Sequence, residues 1–487
     1  MALERGPVAS LRWVGCVPEA VVVGAGPNGL VAAITLARAG WRVVLFEASA
    51  TVGGGMRSAA LTEPGFVHDV CAAIHPLACA SPAFAGLPLE DHGLEWVHPP
   101  APLAHPLDGG RSVILERSLA DTADGLGVDG AAYRRLFRHA VDQGLAIVDA
   151  VLSPLRVPRA PLTLARFGAN AIRPARALAR ARFDTDEARA LFAGSAAHSM
   201  LSLDAAVTAG YGMFLTLLGH LVGWPMISGG SQRLADALAA VLEASGGEIV
   251  TGHAVESLRA LPPADATVLD ITPRQLLAIA GDDLPSRYAA ALRKFRYGPG
   301  VFKVDWALDG PIPWASPGVT RAATVHLGGT LEEVAANESA VQAGQHPDRP
   351  FVIAVQPTLF DATRAPPTKH TAWAYCHVPS GSDIDQTDAI ERQVERFAPG
   401  FQDLVVARHA MGPSWLESYN ANYVGGDING GVGDVRQLVT RPTAALQPWK
   451  TPLPGVYLCS ASTPPGGGVH GMGGWHAARA VQRDRPH

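Results

Sequence analysis

An α/β fold built on a strand–helix–strand unit is what this sequence predicts, and three stretches carry the expectation. Close to the start, Val21 to Glu47 reads VVVGAGPNGLVAAITLARAGWRVVLFE: an apolar β run, three glycines, a helix-period stretch to Gly40, a second β run over Val43 to Phe46, and an acid. Close to the end, the apolar run Val456 to Cys459 meets a loop rich in Pro and Gly, followed by a helix predicted to begin near Val469 or His470. Between them, Val301 to Leu308 (VFKVDWAL) alternates with the period of a strand. Lys303, Asp305 and Ala307 share one face of it, and Phe302, Val304, Trp306 and Leu308 the other.

Each part of the first stretch has a physical task. Gly24 permits a tight turn from strand to helix, Gly26 lets a pyrophosphate approach the backbone, and Gly29 lets helix and strand pack closely. The phosphates would then meet the free N–H groups and positive end of the helix. Pro27 and Asn28 sit inside this turn. Glu47 follows Gly24 by 23 residues, near the usual offset of an acid that hydrogen-bonds a ribose hydroxyl, and Ala48 comes directly after it. Strand, glycines, helix, strand and acid in that order point to a bound adenine dinucleotide. A purely structural βαβ unit with accidental glycines is the alternative.

A chain of 487 residues has room for two or three domains. With 48% hydrophobic and 17% charged residues and no low-complexity tract, its composition is that of a globular enzyme. A net charge of −5 gives no footing for nucleic-acid binding. Cys16, Cys71, Cys79, Cys376 and Cys459 show neither a CxxC nor a metal-ligand spacing. That argues against a disulfide framework and for a reducing, cytoplasmic compartment, and no metal site is expected. The first 17 residues hold no continuous apolar run, so no secretory signal is expected. From Ala205 to Ile227 there is no Asp, Glu, Lys or Arg, a length that can span a bilayer. Gly210, Gly212, Gly219, Gly223, His220 and Pro225 within it favour a buried helix lining an apolar cavity.

Thr51 to Ser58, TVGGGMRS, discriminates among dinucleotides. NAD enzymes require nothing comparable at this place. In flavoproteins of the amine oxidase and phytoene desaturase type, a GG pair followed by Arg lets the backbone approach the FAD diphosphate and the flavin. On these residues the chain resembles the phytoene-dehydrogenase-related FAD-dependent oxidoreductases. It is closer to their pyridine-nucleotide-disulfide-oxidoreductase-domain-2-like branch than to carotenoid desaturases. The resemblance implies FAD contacts from Gly54, Gly55, Met56 and Arg57.

The resemblance extends down most of the chain. Gly65 to Leu77 (GFVHDVCAAIHPL) is similar to the segment that passes beneath the flavin, and Pro225 to Leu242 (PMISGGSQRLADALAAVL) to the family's GG-x-x-x-L-x-x-AL helix. Alternating apolar residues over Gly247 to Leu258 predict a pair of strands, where the resemblance implies a backbone contact to adenine at Val255. Asp265 to Pro273 (DATVLDITP) resembles the strand that returns to the dinucleotide sheet, and Tyr423 to Gly431 (YVGGDINGG) a segment near the active site. Gly455 to Ala478 (GVYLCSASTPPGGGVHGMGGWHAA) resembles the C-terminal flavin motif, which implies contacts from Ser462, Gly471 and Met472. The N-terminus of its helix can face the flavin edge where negative charge collects on reduction. Many relatives have T-H-P before these glycines, whereas this chain has Thr463-Pro464-Pro465. The role of that histidine is therefore not carried over. His470 is the nearest substitute, either beside the flavin pyrimidine edge or in a capping or solvent-facing place.

The flavin motifs fall within residues 18–80, 226–290 and 450–485, which implies a Rossmann-type FAD-binding domain assembled from discontinuous segments. Residues 81–225 and 291–449 would form an α+β substrate-binding domain. One dinucleotide fingerprint is present, and no second G-x-G-x-x-G unit for NAD(P)H follows it. The substrate is therefore expected to reduce the flavin directly, with oxygen or a quinone as the electron acceptor.

Flavin performs the redox chemistry in such enzymes, and the protein supplies orientation and electrostatics. Three side chains are candidates to assist. Lys303 could reach flavin N5 through a water, as a lysine does in several amine oxidases, or could simply pair with Asp305. His75 could serve as a base beneath the flavin or be a satisfied core histidine. His470 has the two roles just given. Asp427, in a Gly-Asp turn, is read as closing a loop. Arg166, Arg173, Arg176, Arg180 and Arg182, within Arg156 to Arg189, mix with apolar residues. They read either as a solvated helical face or as a peripheral contact with anionic lipid, Pro174 interrupting any long helix.

The reading is an FAD-dependent oxidoreductase that removes hydride from, and so desaturates or oxidises, a lipophilic or secondary-metabolite small molecule. An amine oxidase is the first alternative, its sign an aromatic cage from Trp415, Tyr419, Tyr423 and Trp475. A flavin-dependent isomerase or hydratase without net redox turnover is the second, and a non-catalytic flavoprotein the third. Oligomeric state is not legible.

Overall fold

A computed structural model describes residues 17–154 and 159–485. Cys16 and Arg156 lie outside the described residues.

The chain opens with β1 (Glu19–Val23), α1 (Pro27–Ala37) and β2 (Arg42–Phe46). These belong to a five-stranded sheet ordered 456–458, 266–269, β1, β2, 248–250, every neighbouring pair parallel. Successive side chains of a strand point to opposite faces, and both faces of this sheet are covered. Ala20, Val22, Val43 and Leu45 pack with α1 and with helices Gln232–Ala244 and Met472–Asp484. Val21, Val23, Val44 and Phe46 pack against helices Pro273–Ala280 and Ser286–Arg293. Burial on both sides is why the strands read as unbroken apolar runs rather than alternating ones.

The turn into α1 depends on its glycines. Gly24 has φ +97°, a conformation that L side chains rarely adopt. A Cβ on Gly29 would lie 1.9 Å from the Gly24 carbonyl oxygen, so helix and strand can meet only there.

The second layer is a seven-stranded sheet, ordered 405–411, 300–308, 370–378, 352–355, 322–327, 101–107, 111–115. It is antiparallel except where 322–327 runs parallel to 101–107. Strand Gly300–Leu308 agrees with the expected alternation, yet every one of its residues is buried. Helices Asp186–Ala197 and Thr208–Leu221 pack beside this sheet. The uncharged stretch is thus a helix of 14 residues, buried as expected. Among the described residues no helix is long and apolar enough to cross a membrane.

Two local expectations need correction, and a third, the interruption at Pro174, agrees with the structure. The pair of strands over 247–258 is a single strand, Glu248–Val250. After it the chain turns at Gly252 (φ +67°) and bonds back to β2's end instead of to itself, Gly252 N–H donating to Ser49 O (2.8 Å) and His253 N–H to Glu47 O (2.9 Å). The last helix begins at Met472, not at Val469 or His470, because Gly471 takes φ +65° and breaks the helical path just before it. The arginine-bearing segment forms two helices, Pro161–Ala171 and Ala175–Arg182, divided at Pro174. Arg176 and Arg180 there pair with Glu332, and Arg176 also with Asp204.

Candidate functional site

A cavity of about 550 Å³ runs from the glycine turn to the seven-stranded sheet. At one end it is lined by Gly24, Gly26, Pro27, Asn28, Glu47, Ala48, Gly54, Gly55, Arg57, Val255 and Asp270. At the other it is lined by Leu215, Trp224, Ile353, Val355, Trp373 and Tyr375. His75 and the segment from Cys71 to Leu77 form part of its wall between them.

The glycine end is electrostatically organised before any ligand is considered. Glu47 accepts from Ala25 N–H (2.8 Å) and Ser49 N–H (2.9 Å), and pairs with Arg57 Nη2 at 3.0 Å. Arg57 is fixed further by Thr51 O, which it reaches from Nε (3.1 Å) and Nη2 (2.8 Å). Its guanidinium lies 5.5 Å from the ring centroid of Tyr419. Asp270, at the end of strand Ala266–Leu269, accepts the Gly29 N–H at 3.0 Å. Burial pushes its carboxyl up to about 7, with Glu47 adding to the rise and the Gly29 N–H opposing it. Sequence reading missed Asp270. The only signal was an acid placed immediately after a strand expected to lie beside β1.

The spaces here fit a dinucleotide with a diphosphate. A Cβ on Gly26 would fall 2.7 Å from Asp270 Oδ2, and one on Gly54 would fall 3.1 Å from Gly26 Cα. The surface is thus bare backbone, and α1 starts at Gly26 without a side-chain cap. Asn28 Oδ1 is buried with no partner. A helix N-terminus of this kind attracts phosphate.

Several expected residues stand behind the wall rather than on it. Gly29 closes the turn. Met56 is fully buried, its N–H donating to Gly53 O (2.9 Å). Ser462 donates from Oγ to Gly430 O (2.8 Å). Gly471 admits Val31 and Phe84, which a Cβ would approach to 2.5 and 2.8 Å. His470 accepts the Met472 N–H on Nδ1 (3.0 Å), which leaves Nε2 as the protonated nitrogen, 3.2 Å from Gly466 O. It therefore caps the last helix, and burial holds it down to about 4. Neither His470 nor Met472 lines the cavity.

Lys303 is likewise behind the wall and 3% exposed. Its ammonium binds both oxygens of Asp305, donates to Asp69 O (3.1 Å), and lies 5.0 Å from the Trp373 ring centroid. Pairing with Asp305, one of its two expected roles, is the arrangement present. Asp69 in turn pairs with Arg364 and accepts from Ser58 Oγ (2.7 Å) and Ser231 N–H (2.8 Å). This chain of charges ties the segment carrying His75 to the seven-stranded sheet and to the start of helix Gln232–Ala244. His75 itself lines the cavity. Its Nε2 meets Ser231 Oγ at 2.8 Å, its Nδ1 has no partner, and burial pulls it down to about 4, against the field of Asp69.

Of the aromatic residues considered for a cage, Tyr419 and Tyr423 line the cavity; Trp415 stacks on Tyr419 at 5.4 Å and Trp475 packs elsewhere, against His476. Asp427 accepts the N–H groups of Gly298 (2.8 Å), Asn429 (2.8 Å) and Gly431 (2.7 Å), closing its loop.

The comparisons with known proteins agree with this geometry. Residues 22–87 match a family model described as an NAD(P)-binding Rossmann-like domain. The chain is 26% identical to pyridine nucleotide-disulfide oxidoreductase domain-containing protein 2 of Mus musculus, over 96% of this chain and 93% of the relative. The resemblance to that branch, read from the motifs, therefore extends over nearly the whole chain. Among solved structures, an oxidoreductase from Methanosarcina mazei superposes with a TM-score of 0.66 at 18% identity, covering 96% of this chain and all of the other (100%). Putrescine oxidase bound to putrescine superposes with a TM-score of 0.59 at 17% identity, covering 96% and 98%. The expected α/β architecture is the fold these proteins share, and their names carry the enzyme class that the sequence predicts.

Proposed function

We propose that this chain is an FAD-dependent oxidoreductase that takes hydride from a small, largely apolar molecule, the flavin being reoxidised by oxygen or a quinone. The single observation that carries the reading is the continuity of one cavity, from a bare-backbone turn with a ribose-type acid to an aromatic and aliphatic wall. FAD, when bound, would accept the hydride. Gly24, Gly26, Gly54 and Gly55 would admit its diphosphate and ring, Glu47 its ribose hydroxyls, and Val255 its adenine. The residues at the apolar end would exclude water and orient the substrate. Residues 18–80, 226–290 and 450–485 would hold the cofactor and the remainder the substrate.

An amine oxidase is retained as a second reading, because Tyr419 and Tyr423 line the cavity and a structural neighbour is a putrescine oxidase. The test is anaerobic titration of the FAD-loaded protein, following the flavin band, with lipophilic alcohols, polyenes and amines. Bleaching by an alcohol or polyene supports the main reading, and bleaching by an amine the second. A flavin that only dithionite reduces would leave an isomerase or a binding role.

A further inference from the structure

The apolar end of the cavity contains a histidine that neither the motifs nor the proposed cofactor uses. His198 lines the wall, its Nε2 hydrogen-bonded at 2.9 Å to Nε2 of His326. The pair is clamped by Trp224, whose ring stands edge-on to both imidazoles at 5.6 and 5.8 Å. Cross-strand register places two rows beside it. Thr324, Val355 and Trp373 are opposite one another, and His326, Ile353 and Tyr375 form the next row. Thr324 Oγ1 and Trp373 Nε1 are buried without a partner, although both residues line the cavity. Groups of that kind call for a ligand or a water, since leaving them unmade is unfavourable.

Charge is what this end lacks. The lining acids and the lining arginine, Glu47, Asp270 and Arg57, are all at the glycine end. Burial holds His198 down to about 3 and His326 well below its ordinary value, so both imidazoles are neutral at physiological pH. A neutral imidazole whose second nitrogen is engaged can still donate or accept one hydrogen bond, and so can a hydroxyl. An ammonium or carboxylate placed here would surrender its hydration with no opposite charge to meet.

We propose that this end of the cavity selects an uncharged substrate, an apolar body bearing a single hydroxyl or carbonyl group that hydrogen-bonds to His198, with Thr324 and Trp373 beside it. This deepens the function proposed above and rests on it for the direction of the chemistry, but not for the binding itself. It sets the alcohol or ketone class apart from the amine class.

Octanol, octylamine and octanoate share one body and differ in head charge, so their binding at pH 7 by calorimetry tests the idea on the FAD-loaded protein. Octanol should bind about tenfold or more tighter than either ion, a discrimination set by uncompensated ion desolvation. His198→Leu should lower octanol affinity about tenfold, in the range of one buried hydrogen bond, while His198→Gln recovers most of it. Both variants should retain FAD, which shows that they fold. Tighter binding of octylamine or octanoate, indifference of octanol to His198→Leu, or no binding of any member would overturn the proposal. Failure of the protein to take up FAD would instead refute the cofactor reading, and the head-group preference could still be measured on the free protein.

Discussion

Asp270→Asn should make the FAD-free protein more stable at alkaline pH and leave it unchanged in acid. The carboxyl is 8% exposed, and burial holds it at about 7. In the unfolded chain it would titrate at about 3.9. The native state therefore binds more protons than the unfolded state between those values, and stability falls as pH rises through the interval. The contribution is fully present below about pH 4 and lost once the pH has passed through about 7. Three units at about 1.4 kcal/mol each put the loss near 4 kcal/mol, of which relaxation around the site would leave about 2–4 kcal/mol. Asparagine keeps an oxygen for the Gly29 N–H and carries no charge, so it escapes the loss. Thermal unfolding of both proteins at about pH 4 and pH 8 reads this directly. Wild type should drop relative to the variant by several degrees at pH 8 and match it near pH 4, with about a third of the drop already present at pH 5. Equal slopes for the two, or a variant weaker at every pH, would refute the reasoning. The same argument makes FAD uptake near pH 7.5 consume a proton in wild type and none in Asp270→Asn, because a bound diphosphate further disfavours the carboxylate.

Other perturbations have equally definite outcomes. Gly29→Ala forces a Cβ to 1.9 Å from Gly24 O, so it should abolish FAD retention and lower the melting temperature together. Lys303→Met leaves the fully buried Asp305 without its cation, with His68 at 3.5 Å and His409 opposite it on the neighbouring strand, which should destabilise by about 3–5 kcal/mol in urea unfolding. Adding Asp305→Asn to it should restore most of that stability, which a loss at flavin N5 would not predict. Asp427→Ala orphans the N–H groups of Gly298, Asn429 and Gly431 and should cost about 3 kcal/mol or more, again read by unfolding.

What could be read in the sequence was whatever is encoded within one or two elements. The turn at Gly24, Gly26 and Gly29 was legible because their spacing lies within one strand–turn–helix unit, Gly29 answering the Gly24 carbonyl within it, while the neighbour that Gly24 and Gly26 share, Asp270, lies far along the chain. The pairing of Lys303 with Asp305 followed from their separation of two on one strand. The Asp427 loop followed from its Gly-Asp turn. Asp270 and the His198–His326 pair were not legible, since the latter joins residues 128 apart through a sheet register that no local pattern specifies. The expected strand after residue 250 failed for a related reason. Its apolar alternation was real, but β2's end offered the chain hydrogen-bond partners that a hairpin would have had to supply from within. Met472 was expected by resemblance to touch the flavin, and it is the first residue of the last helix and lies off the cavity wall; His470 takes the capping place, one of the two read for it.

The central claim is that the glycine end of the cavity holds FAD. Its most direct test is reconstitution of purified protein with FAD, and separately with NAD and NADP, followed by gel filtration and an absorption spectrum. The account predicts one FAD retained per chain, with a flavin band altered from that of free FAD and lost in the Gly29→Ala variant. Retention of a nicotinamide dinucleotide in its place, or of no dinucleotide at all, would contradict it.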